Sequence, residues 1–244
     1  MPGKKKTDNA AARGRGTGSR NKRREGPVMP LTRENIVSTA LKLVDREGLK
    51  ALSMRRLGAE LGVDPMAVYY HVPNKQALLD SIVEAVMAGI DLSVDNPAAP
   101  LEERVLRAAH AYRDAMLAHV NALPILLSHG PSTEAALRPV ELLIGILRDA
   151  GLPPAEAFAG MNAIAAAVRG VAGMSASWGG KPPAREEIEA MARNFPIGEF
   201  PHLHEAMPYA WDFADHGFDF GIRALARGLL GEGRSRESMA EMRD

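Results

Sequence analysis

Between Leu31 and Ile90 the chain is punctuated so closely that it reads as three short helices and one longer one within sixty residues. Thr32 is a helix-opening residue with Glu34 in the turn that follows, and Ile36, Val37, Ala40, Leu41 and Val44 recur as one apolar stripe. Gly48 stops that helix. Ser53 opens a second with Leu57 and Leu61 facing inward, and Gly62 stops it. Asp64 and Pro65 open a third, since Asp accepts from free N–H groups and Pro loses nothing at the first helical position. Pro73 breaks it, and Asn74 opens a fourth helix reaching about Ile90.

The rest of the chain keeps the helical period. Helices are expected from about Leu101 to His119, in a short apolar piece at Leu123–Leu127, and in a stretch ending at Ala150 and closed by Gly151. Pro139 lies within that last pattern and either kinks the helix or marks its start. Pro153 and Pro154 open a long Ala-rich helix ending near Trp178, and Gly179–Pro183 reads as a linker. A short amphipathic helix, Arg185–Phe195, and a final helix from about Leu203 to Leu230 complete the reading. No stretch alternates at period two, so the expected fold is all-α, with an N-terminal three-helix domain joined by a long fourth helix to a larger helical domain. The expected boundaries are a disordered basic arm at 1–29, a first domain at 30–90, a second at 91–232 and a polar tail at 233–244.

Charge is divided unevenly behind a formal net charge of zero. Residues 1–27 carry nine Lys and Arg against two carboxylates, whereas residues 76–244 carry fourteen against twenty-three. A basic front on an acidic body points the front at a polyanion. The arm by itself fits a solubilising tail as well as a clamp on phosphates. Cysteine is absent, which excludes disulfide scaffolds, thiolate metal sites and cysteine nucleophiles. No apolar run is read as a bilayer span and the basic start is not followed by an apolar stretch, so a cytoplasmic protein without a membrane partner is expected.

Residues 53–72 carry the strongest functional signal: two helices around a tight Gly-containing turn form a helix-turn-helix. Val68 and Val72 share one face of the third helix and can pack on Leu57, Leu61 and Val63. That turns Met66, Ala67, Tyr69, Tyr70 and His71 outward. Two tyrosines on a solvated face suit sugar-phosphate, thymine methyls or base edges. Arg55 and Lys75 stand where phosphates would be met.

The run Leu52-Ser53-Met54-Arg55-Arg56-Leu57-Gly58-Ala59-Glu60-Leu61-Gly62-Val63, with Val68-Tyr69-Tyr70-His71-Val72-Pro73-Asn74-Lys75 and Ala77-Leu78-Leu79-Asp80, closely resembles the DNA-binding domain of the TetR family. Beyond Ile90 the order of helices resembles the tetracycline-repressor type of C-terminal domain, with Ala111-Tyr112-Arg113 and Leu147-Arg148-Asp149-Ala150-Gly151 as local matches. The resemblance implies a homodimeric repressor on a palindromic operator, released by a small-molecule effector bound in the C-terminal core. It assigns Ser53, Arg55, Pro65, Met66, Ala67, Tyr69, Tyr70, His71 and Lys75 to the DNA face. Tyr69, His71 and Lys75 would serve the backbone, and Pro65 to Ala67 with Tyr70 would tune sequence preference. That helix start has no Arg, Asn or Gln, so methyl contacts and shape readout are expected.

In tetracycline-repressing members a His, a Thr and a Glu hold a magnesium–drug chelate. The matching positions here are Leu126 or Leu127, Gly130 and Met174, with His129 off register, so no cofactor and a mostly apolar effector are expected. Tyr112, Met116, Leu127, His129, Leu143, Met161 and Met174 are the candidate lining, although ordinary core packing would explain each Met equally. Ala163, Ala166, Ala167 and Gly170, with Phe213, Phe220 and Leu225 on the final helix, form the candidate dimer surface.

Two other functions compete. His202, His204, Asp212, Asp215 and His216 are metal-ligand types close together, as a hydrolase would need, but without a recognised ligand spacing. A non-specific DNA-coating protein would use the arm and helix-turn-helix alone, and would leave the large C-terminal body without a role. A regulator rather than an enzyme is the expectation.

Overall fold

Each of the first four helices begins where a side chain takes up its free N–H groups. The computed structural model describes residues 31–179, 183–194, 196 and 198–241, so the basic arm lies outside it. In α1 (Arg33–Glu47) the Asn35 N–H donates to Thr32 Oγ1 at 3.2 Å, and in α2 (Met54–Leu61) the Arg56 N–H donates to Ser53 Oγ at 3.1 Å. In α3 (Pro65–His71) the Met66 N–H donates to Asp64 Oδ1 at 2.8 Å, and in α4 (Lys75–Ala88) the Ala77 N–H donates to Asn74 Oδ1 at 2.8 Å. Such caps contribute about 1 kcal/mol each.

The turn between α2 and α3 depends on two glycines. Gly62 has φ of 70°, the left-handed conformation that ordinary side chains resist, and the next N–H, on Val63, donates to Gly58 O at 2.9 Å. A Cβ on Gly58 would stand 3.1 Å from Val63 O and 3.2 Å from Pro65 N, both rigid backbone atoms. α3 can therefore cross α2 this closely only because Gly58 has no side chain.

The remaining helices are α5 (Leu101–Ala118), α6 (Leu123–Ser128), α7 (Glu134–Asp149), α8 (Pro154–Ser177), α9 (Arg185–Ala192), α10 (Pro201–Ala206) and α11 (Phe218–Glu241), with no strand among the described residues. Thr133 caps α7, so Pro139 sits inside it rather than at its start. The expected continuous helix from Leu203 to Leu230 is broken. A tight 3-10 stretch, Met207–Asp212, and a wide π turn, Phe213–Gly217, separate α10 from α11. Pro208 has no N–H with which to continue the α pattern, and the chain changes pitch there before resuming. α11 then runs on to Glu241, through most of the stretch expected as a polar tail.

The 24-residue α8 also corrects a composition-based expectation, since by length and apolarity alone it is long enough to span a bilayer. Ala and Gly supply much of that apolarity, and the helix packs on α5, α7 and α11. One apolar core is continuous from Ile36 and Leu57, through Leu78 and Ile82 of α4, to Ile146, Ile164 and Ile222. α4 contributes to both ends of it by packing on α1 and on α7. Arg104, buried on α5, locks the body by donating to both Asp95 carboxylate oxygens at 2.8 and 3.0 Å and to Asp149 at 2.9 Å.

Candidate nucleic-acid interface and effector cavity

The buried side of α3 determines what its other side presents. Val68 and Val72 are fully enclosed with Leu57, which leaves Tyr70 88% exposed, Met66 71% and Tyr69 41%. Ala67 and His71 are half-buried, and the His71 ring meets Tyr70 edge-on at 5.3 Å. Pro65 is half-buried, and its backbone N and Cα lie against α2 at Gly58, where it closes the turn. Ser53 is exposed, and its hydroxyl oxygen is occupied as the cap of α2.

Two neighbouring arginines have different surroundings. Arg56 donates to Glu47 at 2.9 Å and lies 3.7 Å from Glu60, in a network that Arg46 completes at 2.7 and 3.0 Å. Its charge is already matched. Arg55 and Lys75 are exposed and pair with no described carboxylate, which leaves both for a phosphate. The candidate interface is therefore apolar and aromatic at its centre, on Met66, Tyr69 and Tyr70, and basic at its edges.

A cavity of about 310 Å³ lies in the body between α4, α5, α7 and α8. Tyr112, Leu143 and Met161 line it, as assigned from sequence. Met116, Leu127, His129 and Met174 do not. Met116 is buried in the core, Leu127 and Met174 are exposed, and His129 turns to α4, where its ring nitrogen stands 2.6 Å from the Gln76 amide. Sequence reasoning missed Phe158, Asn162, Arg169 and Pro139, which also face the cavity. Spacing could have found three of them: Phe158, Asn162 and Arg169 fall on the face of α8 that carries Met161. At Leu126, Leu127, Gly130 and Met174 there is no oxygen or nitrogen donor side chain, so these residues do not fit a magnesium chelate of the tetracycline-repressor kind.

The loop before α7 holds α4 through Glu84. Its carboxylate accepts from the Ser132 N–H at 2.6 Å, the Ser132 hydroxyl at 2.8 Å, the Thr133 N–H at 3.1 Å and the Thr133 hydroxyl. Burial works to raise this carboxyl, but the donors outweigh it and hold its pKa below the usual glutamate value. Pro131 of the same loop lines the cavity. On α1, Asp45 meets His119 Nδ1 at 2.9 Å and accepts from the Asn121 amide at 2.8 Å through its backbone carbonyl.

Of the candidate dimer surface, Ala163, Ala166 and Gly170 form an exposed row on α8, and a Cβ at Gly170 would meet nothing within 4 Å. Phe220 of α11 is 70% exposed. Ala167, Phe213 and Leu225 are half-buried, with Ala167 and Phe213 packed on the chain's own core and Phe213 edge-on to Trp178.

The histidines and aspartates of the hydrolase reading do not converge. Asp215 reaches Arg113 at 3.4 Å, Asp212 accepts from the His216 N–H at 3.4 Å, and a π turn at Phe213–Gly217 interrupts the helix that carries them. Among the described residues no three His, Asp or Glu side chains are placed to hold a metal ion.

A fold with a helix-turn-helix head, a helical body and an internal cavity defines a class, and the comparisons with known proteins agree. Residues 36–82 match the model of bacterial regulatory proteins of the tetR family, and residues 95–232 match the tetracyclin repressor-like C-terminal domain. The chain belongs to the TetR family and is a DNA-binding transcriptional regulator of that family. It is 32% identical over 234 residues to the HTH-type transcriptional repressor DrrR1 of Streptomyces coeruleorubidus, covering 87% of this chain and 82% of that one. Apo ActR from Streptomyces coelicolor is similar in structure, with a TM-score of 0.75 at 28% identity over 85% of this chain and 99% of that one. ActR in complex with actinorhodin gives 0.73 at 29% identity, over 84% and 99%.

Proposed function

We propose that this chain is a repressor that binds a palindromic operator as a homodimer in the cytoplasm and is released by a mostly apolar effector in the cavity of its body. One observation carries this reading: α4 begins at Lys75, next to the exposed face of α3, and its last turn places Met87 on the wall of the cavity. Its fourteen residues span about 21 Å, so a tilt imposed at one end displaces the other. Two α3 helices would enter successive major grooves about 34–36 Å apart, and a small change in α4 would take them out of register. Such coupling is about 1–3 kcal/mol. The exposed small-residue row on α8 and Phe220 on α11 support a four-helix contact between two copies. Similarity to a repressor and to a protein solved with a bound small molecule supports both halves of the reading.

Selection of duplexes from a random DNA library by the full-length protein at near-physiological salt tests it. The expected product is a palindrome with half-sites about one helical turn apart. Recovery of unselected sequence would instead support a protein that coats DNA.

A further inference from the structure

The cavity is lined mainly by Ala, Leu, Val, Ile, Met and Pro, yet Arg169 of α8 faces it. The Arg169 Nε–H donates to Tyr112 Oη at 2.8 Å across fifty-seven residues of chain, and no described carboxylate lies within ion-pair distance of its guanidinium. A guanidinium offers only donors, and a tyrosine oxygen that accepts from it still has its own proton to give. This corner of an apolar cavity is thus a cluster of donors bearing a positive charge, half-buried and without a matching anion. Desolvating a cation is costly unless an anion meets it. Asp91, the cavity's other charged group, is on the loop after α4, and its carboxylate accepts from the Ser93 N–H at 2.9 Å.

We infer that the effector carries an anionic oxygen on an apolar, ring-sized body, with the anion held by Arg169 and Tyr112 and the body by the walls around Leu143 and Met161. The inference rests on the reading of this cavity as the effector site. Asn162 faces the cavity too, with its amide N–H donating to Phe158 O at 2.9 Å, which leaves its carbonyl oxygen as a separate acceptor for a ligand hydroxyl.

Two fluorescent probes test this, anilinonaphthalene sulfonate and phenylnaphthylamine, which share a skeleton and differ in the sulfonate. Both are titrated into the full-length protein and into Arg169→Met, Arg169→Lys, Tyr112→Phe and Ala165→Phe. The wild type should bind the sulfonate about tenfold or more tightly than the neutral probe, as a charge-assisted hydrogen bond implies. Arg169→Met should abolish that preference while keeping affinity for the neutral probe, which also shows that the variant is folded. Arg169→Lys should restore part of the preference, and Tyr112→Phe should weaken it less than Arg169→Met does. Ala165→Phe, which fills the cavity, should reduce binding of both probes. An unchanged preference in Arg169→Met would overturn the anion inference and leave the cavity reading standing. Unchanged binding of both probes in Ala165→Phe would overturn the cavity reading itself.

Discussion

The two ends of α4 stand in opposite surroundings although the same residue types gather at each. Near its start Tyr70 and Met66 are exposed, and near its end Tyr112 and Met161 line a mostly apolar cavity. Neighbouring aromatic and thioether groups exposed to water form an apolar patch of the kind that a partner's surface covers. The same groups around a cavity leave room for a small molecule. Function therefore lies in the environment of a residue type rather than in the type.

Whether those two ends rest on one core is open to the hardest blow. Arg104→Met strips Asp95 of its buried partner and should cost about 3–5 kcal/mol in urea unfolding. Fluorescence of Trp178 and Trp211, which reports the body, and far-ultraviolet dichroism, which reports the whole chain, should shift together; separate midpoints would show that the head and the body fold independently.

Gly58→Val should separate the ends by function. Its side chain would press on Val63 O and Pro65 N, costing about 1–3 kcal/mol of stability and displacing α3. Operator binding in a mobility-shift assay should be lost while apolar probes still enter the cavity. Loss of both would mean that the turn supports the body as well.

Within the DNA face, Tyr70→Ala should reduce discrimination between operator variants by about 1–3 kcal/mol. Lys75→Ala should weaken all sequences alike and lower the salt slope by about 1. Reversed effects in a salt titration would overturn this division of labour.

The smallest effect concerns the link between the ends. Glu84→Gln removes an ionised acceptor from four donors and should lower stability by about 1 kcal/mol. The Glu84 pKa is held below 4.5, so its contribution is fully present above that value and is lost as pH falls through the lowered one. The stability gap between wild type and variant, measured by thermal melts, should close in acid below pH 4.5. A gap that persisted there would show that the charge on Glu84 is not what holds the loop.

The head was legible because its signals are local. Thr32, Ser53, Asp64 and Asn74 each cap N–H groups two or three residues away, so the residue that starts a helix is visible beside it. Pro208 offered the same kind of signal for the break before α11, but the apolar period on either side masked it. The cavity was half legible. Met161 and Met174 are thirteen residues apart, which at 100° per residue puts them about 140° apart on α8, so one could face the cavity only if the other did not. Gly58 stood in the helix-turn-helix motif with no local reason for its lack of a side chain; the reason is the backbone of Val63 and Pro65.

By itself the sequence determined the all-helical class, where the helices of the first domain begin and end, and which face of α3 is apolar. Those follow from hydrogen bonds and periodicity within a few residues. Only the tertiary structure decided that Arg56 is spent on Glu47 while Arg55 pairs with no described carboxylate, and that Arg169 meets Tyr112 inside an apolar cavity. Those partners are brought together by packing of helices distant in the chain, and a charge or a cavity has no meaning until its neighbours are in place.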